Sequence, residues 1–534
     1  MHRMLALVMG VLIVGTPAEA ANKVLSQEKA EKVGERCWAD VRVLADDNME
    51  GRRAGSPGHR RAAEFVAAEF KKAHLAPGGE GGFFQPVKLE SRRINEAGSS
   101  VTLVRDGKPT PIVLGQDAAL LLRGNFAHQV EAPLVFVGYG LRLPQYGVDD
   151  LAGLDLKGKV VVAISSVPPS VPGSAGAHFG SQAERWKVYR SLGAVGVVFM
   201  QDPNNMDVPW ERQVQRRFEP FMALSEGEDP YTGMQIWLQF NPANLQKLLD
   251  GTEHRAEDIL AALKNHEPLP RFDLKFRISA TIDATIEPIV SENVVGVLRG
   301  SDPGLRDEFV VLSAHLDHLG LATEGQDKVF NGAMDNASGV AVLMQMAREL
   351  GKGKAPRRSV VFVAVTAEEL GLLGSRAYVN GAQARHQRIV ANLNTDMFLP
   401  LFPMKQLMVF GLDESELGDD VRAVAAESGI GVQTDPQPLR NRFIRSDQYS
   451  FIRVGIPALA TKVGFEANSP EAEIDKQWTA SRYHAVGDDL SQPVDLGAVG
   501  QYEFVIRRLA VRIANRAEAP KWRETSVFSQ IAPR

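Results

Sequence analysis

Downstream of residue 20 the hydrophobic pattern falls into three stretches with different periods. Ala30, Val33, Cys37, Val41 and Leu44 recur three or four residues apart, so one helical face is apolar and an amphipathic helix is predicted. A second helix is predicted from Ser56-Pro57, where the serine side chain can accept from free N–H groups and proline suits the first helical turn. Ala62, Val66, Phe70 and Ala73 form its buried stripe, and Pro77-Gly78-Gly79 ends it. Between the helices lies Gly51-Arg52-Arg53-Ala54-Gly55, in which Arg52 reads equally as a solvated loop charge or as a salt-bridge partner.

From Val101 the runs shorten to β length. Val101 to Val104 and Ile112 to Leu114 flank the turn pair Asp106-Gly107, and Leu134 to Val137, Val160 to Ile164 and Val195 to Met200 are apolar runs bounded by Gly and Pro. A helix-like piece covers Gln182 to Leu192. After Pro288 strands and helices alternate: strands over Asn293 to Leu298, Phe309 to Leu312, Val360 to Val365, Ile389 to Leu393, Leu407 to Phe410 and Ile456 to Lys462, and helices over Asn336 to Leu350 and Glu369 to Tyr378. That rhythm predicts an α/β fold, a mostly parallel mixed sheet flanked by helices, and in such sheets ligands gather at the carboxyl ends of the strands.

A length of 534 residues points to more than one structural unit. A formal net charge of -5 with dispersed Lys and Arg gives no expectation of a nucleic-acid partner. Arg3, the apolar stretch Leu5 to Gly15 and the small-residue site Ala18-Glu19-Ala20 read as an export signal over residues 1–20, implying a periplasmic or extracellular protein. The apolar stretch falls short of the roughly 20 residues a spanning helix needs, so no stable membrane insertion is expected. The one cysteine, Cys37, excludes an intrachain disulfide and any multi-thiolate zinc site, and its place on the helical stripe reads as a buried structural thiol.

Chemistry is concentrated between Phe309 and Phe398. His315 and Asp317 follow one strand, Asp335 precedes a helix, Glu368 and Glu369 follow the next strand, Asp396 follows another, and His484 comes from a late loop. Taken singly, Asp335 reads better as a helix cap, Glu368 and Glu369 as first-turn acids, Asp396 as a turn residue and His484 as a surface residue. Their joint occurrence at strand ends favours a metal site. With Asp335 bridging, His315 and Asp396 would complete one zinc and Glu369 and His484 the other, three protein ligands each, as a catalytic zinc with an open position requires. Glu368 is then free to act as general base, Asp317 is placed to orient the His315 ring, and Tyr483 to donate to an oxyanion. His318, beside the motif, is expected to be structural or to contact a ligand residue rather than to be a ligand itself.

The motifs His315-Leu316-Asp317-His318-Leu319-Gly320, Asn331 to Gly339, Ala367-Glu368-Glu369-Leu370-Gly371, Asn394-Thr395-Asp396-Met397 and Tyr483-His484 together resemble the co-catalytic di-zinc aminopeptidase family, which includes glutamate carboxypeptidase II and the transferrin receptor. The resemblance implies two Zn2+ ions, the ligand set above, Glu368 as base and peptide substrates. Val137-Gly138-Tyr139-Gly140, Asp155 to Val161 and Gly193 to Val197 resemble the protease-associated domain inserted in larger zinc peptidases, giving an expected insert at 126–287 between catalytic parts at 21–125 and 288–534. Gln448 departs from the pattern, since the segment Arg445 to Phe451 often carries His there in the family. The expected function is a secreted metallo-exopeptidase of aminopeptidase type. The alternatives are a glutamate carboxypeptidase-type enzyme, which needs a basic pocket that the sequence does not place, and a non-catalytic receptor-like protein. Oligomeric state has no signature in the sequence.

Overall fold

Two sheets organise the computed structural model, which describes residues 24–530 apart from 207, 208, 228, 323, 438 and 439. The expected export signal lies outside the described residues. The larger sheet is mixed and ten-stranded. At its centre Ser359–Val365, Glu308–His315, Arg388–Thr395 and Ala458–Gly464 run parallel to one another. Antiparallel strands flank them: Ala284–Leu298, Phe84–Ile94 and Phe221–Leu224 on one side, Gln406–Phe410 on the other. The central strands are near-continuous apolar runs because both their faces are covered, and every residue of Ser359–Val365 is buried.

Helices Gln27–Leu44, Pro57–Lys72, Ser338–Lys352 and Leu496–Ala514 contribute to the larger core, where Cys37, Val66, Phe70, Val340, Leu343 and Tyr502 are buried. Cys37 is indeed a buried free thiol. Ser56 caps its helix as expected, its side chain accepting from the His59 N–H at 3.1 Å.

The second sheet has eight strands, ordered Lys108–Ile112, Ser100–Arg105, Phe272–Thr281, Gln129–Phe136, Val160–Ser165, Gly196–Gln201, Ile236–Phe240 and Ala118–Leu120. It begins at Ser100, ahead of the expected boundary at 126, because Ser100–Arg105 pairs along its length with Phe272–Thr281. Conversely Phe221–Leu224, inside the expected insert, pairs with Phe84–Ile94 in the larger sheet. The two sheets are therefore laced together, and the face between them is shared. Among the described residues no helix is long and apolar enough to cross a membrane.

Candidate metal centre

The parallel strands deliver acid and imidazole groups to one edge. Glu308–His315 ends on His315, Arg388–Thr395 ends one residue before Asp396, and Ser359–Val365 ends three residues before Glu368. Asp335 sits in an irregular turn ahead of the helix that starts at Ser338, and its own φ of -108° is non-helical, so it is not a simple helix cap. The helix expected from Glu369 starts only at Leu373. Left-handed residues at Ala367, Gly371 and Leu372 fold 367–372 into a tight turn instead, with the Gly371 N–H donating to the Glu368 carbonyl at 2.9 Å.

The Asp335 carboxylate faces two imidazoles with different oxygens. Its Oδ1 lies 3.2 Å from His315 Nε2, and its Oδ2 lies 3.3 Å from His484 Nε2. His315 Nε2 is also 3.2 Å from Asp396 Oδ1, and His484 Nε2 is 3.2 Å from Glu369 Oε2. Two donors held about 2.0–2.1 Å from a tetrahedral ion stand about 3.3 Å apart, so the donor spacing on each side of Asp335 is that of a zinc first coordination sphere. The donor set, imidazole nitrogen and carboxylate oxygen without thiolate, also fits zinc. His315, Asp335 and Asp396 form one group with donors within 4.8 Å of one another.

His318 is brought into the same cluster. It is fully buried, with Nδ1 2.9 Å from Glu369 Oε1 and 3.8 Å from Asp335 Oδ2. Its ring leaves no room for a side chain at Gly332, where a Cβ would stand 2.6 Å from His318 Cδ2 and where φ is +59°.

The surrounding charges favour a cation at the centre. Burial opposes protonation of His484, yet Asp335 and Glu369 outweigh it and push the imidazole up to about 10. His315 is likewise raised, Asp396, Asp335 and Glu368 overcoming its burial. Burial pushes the Glu368 carboxyl well above the ordinary range, with Asp396, Glu369 and Asp447 adding to it against His315. Buried charges at this density are normally paired or bound to metal.

The expected orienting role of Asp317 takes a different form. His315 Nδ1 is 3.1 Å from the Asp317 main-chain carbonyl, not its carboxylate. The carboxylate is turned toward the following strand end, where Oδ1 accepts from the Glu368 N–H at 3.0 Å and Oδ2 from the Glu369 N–H at 3.4 Å. Asp317 thus holds the ring through its backbone and the Glu368-Glu369 turn through its side chain. Tyr483 is half-exposed and its ring stacks on His484 at 3.9 Å.

Two further groups brace the centre and a third interacts with it electrostatically; none was singled out as such from sequence. Arg52 is fully buried, and its guanidinium donates to the carbonyls of Leu44, Leu316, Asn331 and Gly332, bracing the turns that carry His315 and Asp335. Asp488, four residues after His484, accepts from the N–H groups of Met334 and Asp335, each at 2.9 Å. Asp447 is fully buried with neither carboxylate oxygen hydrogen-bonded, and burial pushes its carboxyl up to about 7. The only local hint was an acid close to a ligand in the case of Asp488. Gln448, the departure noted above, donates to the carbonyls of Arg442 and Phe443 and accepts from Asn394, so it is structural.

A helix-flanked mixed sheet thus carries imidazole–carboxylate groups able to hold metal ions at the carboxyl ends of its parallel strands. Residues 293–510 match the model of peptidase family M28. A probable leucine aminopeptidase 2 of Aspergillus fumigatus is 30% identical over 223 residues, 39% of this chain and 42% of the relative. Aminopeptidase YwaD of Bacillus subtilis is 35% identical over 223 residues, 40% of this chain and 45% of the relative. The chain thus spans less than half the length of these curated relatives. The solved aminopeptidase from Aneurinibacillus sp. strain AM-1 shares the fold over 94% of this chain and 98% of its own, with a TM-score of 0.51 at 19% identity.

Proposed function

We propose that the protein is an exported, zinc-dependent aminopeptidase that removes N-terminal residues from peptides. The observation that carries this reading is the Asp335 carboxylate, whose two oxygens face His315 and His484 at 3.2 and 3.3 Å. His315, Asp335 and Asp396 would hold one zinc ion, and Asp335, Glu369 and His484 a second. Bound there, the ions supply Lewis acidity to the scissile carbonyl and lower the pKa of the attacking water.

The protein groups have separate tasks. Glu368 stands next to a proposed ligand without being one, takes the proton of the attacking water and passes it to the departing amine. Asp317 fixes the Glu368 position through the two backbone N–H groups it accepts from. Tyr483 donates its hydroxyl proton toward the oxyanion from beside His484. The relatives' names as aminopeptidases support the reading, and so does the match of residues 293–510 to peptidase family M28. The region built on the eight-stranded sheet, which starts at Ser100 rather than at 126, is read as a protease-associated insert.

The test is a panel of aminoacyl-anilides, free peptides and N-acetylated dipeptides, run with and without chelator. Cleavage is expected for free N-termini, lost on chelation and restored by zinc, with two zinc ions per chain by metal analysis. Glu368→Gln is expected to keep its zinc and lose at least about 1,000-fold in kcat, consistent with general-base contributions. Near-full activity of that variant, or undiminished cleavage of acetylated dipeptides, overturns the proposal.

A further inference from the structure

A cavity of about 870 Å³ lies between the two sheets and reaches the metal centre at Glu369 and the turn Leu370-Gly371-Leu372. Six arginines line it: Arg92, Arg123, Arg217, Arg376, and Arg445 and Arg453 on either side of one short helix. Against them the lining holds three carboxylates, Glu219, Asp229 and Glu369. Glu369 is already engaged by His318 and His484. The cavity next to the scissile-bond site therefore carries an excess of positive charge in a chain whose net charge is -5.

Half of the arginines are matched from outside the lining. Arg92 pairs with Glu90 at 2.7 Å, Arg217 with Glu96 at 2.8 Å and Arg453 with Glu184 at 3.4 Å. Arg123, Arg376 and Arg445 form no ion pair among the described residues. Arg123 packs on aromatic rings, its guanidinium carbon 4.9 Å from the Phe221 ring centre and 4.6 Å from that of Trp237; one Nη donates to the Tyr231 hydroxyl at 3.0 Å, and its buried Nε has no hydrogen-bond partner. Arg376, on helix Leu373–Ala384, projects from the element that directly follows the Glu368-Glu369 turn. Burial lowers its pKa, and Arg453 and Arg123 lower it further, against Asp229 and Tyr231. An anion placed among these groups relieves their mutual repulsion and gains charge-assisted hydrogen bonds, which arginine forms with carboxylates in a two-pronged geometry.

We infer that this cavity is a carboxylate-recognising substrate subsite, with Arg376 and Arg123 as its anchors, so that the preferred peptides carry a carboxylate within reach of the scissile bond. The carboxylate comes either from an acidic side chain or from the C-terminus of a short peptide. The inference rests on the peptidase reading above and supplies the basic pocket that the sequence did not place.

Two substrate pairs separate the sources: glutamyl- against glutaminyl-anilide for the side chain, and Ala-Ala against Ala-Ala-amide for the C-terminus. A preference of at least tenfold in kcat/KM for the carboxylate member of one pair is expected. In Arg376→Ala that ratio should fall about 10- to 100-fold, the range of a charge-assisted hydrogen bond, mainly through KM, with partial recovery in Arg376→Lys. Because each ratio compares two substrates on one enzyme, a general loss of folded protein cancels. No preference in either pair, or a preference that survives in the Arg123→Ala/Arg376→Ala double variant, overturns the inference. Should no peptide be cut at all, the peptidase reading fails separately. Calorimetric binding of glutarate to the wild type, abolished in Arg376→Ala, then still supports the anion site, and absence of binding to the wild type overturns it.

Discussion

Replacing Arg52 with methionine removes one buried guanidinium and leaves its carbonyl partners in place. Four main-chain carbonyls, of Leu44, Leu316, Asn331 and Gly332, accept from Arg52 at 2.6–2.9 Å. Methionine fills similar volume but donates nothing, so up to four buried acceptors lose a partner, each at about 1–3 kcal/mol. Removing the charge recovers part of the desolvation penalty, which is real here: burial lowers the Arg52 pKa to about 10, against the opposing pull of Asp488, Asp335, Asp317 and Glu369. A net loss of about 4 kcal/mol follows, within the range for breaking a buried charged network. With a melting entropy of about 2.1 cal/mol/K per residue, a chain of this size shifts by about 4 °C. Scanning calorimetry of the zinc-loaded protein reads the shift, and chelator competition reads zinc affinity, which should weaken because Arg52 ties together the turns bearing His315 and Asp335. Arg52→Lys, with three donors on one ammonium, should fall between. A Tm within 1 °C of the wild type and unchanged zinc affinity would refute the idea that this arginine holds the centre together.

Other outcomes follow from the same geometry. Asp488→Asn can no longer accept from both Met334 and Asp335, and zinc affinity should fall about 10- to 100-fold by chelator competition, as for other supports of metal ligands. Gly332→Ala places a Cβ 2.2 Å from the Asp335 carbonyl oxygen and 2.6 Å from the His318 ring, so a loss of about 1–3 kcal/mol and substoichiometric zinc after dialysis are expected. His178 is buried against Tyr449 and Phe528, and burial holds its imidazole down at about 4. Because the unfolded chain takes up that proton near pH 6.5 and the folded one does not, its contribution is complete above pH 6.5. It is lost progressively as pH falls toward 4, by up to about 3 kcal/mol. Urea melts should show a flatter acid limb in His178→Gln, and parallel limbs would count against this account.

The fold was legible because its signals are local. Strand Val360 to Val365 and helix Asn336 to Leu350 lie within two residues of Ser359–Val365 and Ser338–Lys352, since an apolar run or a helical stripe is a property of neighbouring residues. The missed helix start at Glu369 was a matter of tertiary contact: the Asp317 carboxylate holds the Glu368 and Glu369 N–H groups in a turn that no propensity announces. The sheet boundary at Ser100 was equally hidden, because strand pairing joins residues about 180 apart in the chain.

By itself the sequence determined which residue types stand at the ends of the parallel strands. His315, Glu369 and Asp396 follow apolar strands, and the rule that ligands gather at strand carboxyl ends converts order into place, while Asp335 enters from the turn ahead of a helix. Only the tertiary structure decided that His318 joins His484 at Glu369, that Arg52 is a buried brace rather than a surface charge, and that arginines as far apart in the chain as Arg92 and Arg453 face one cavity. The reason is physical: a charge acts through space over several ångströms, so its partners are set by packing and not by chain spacing.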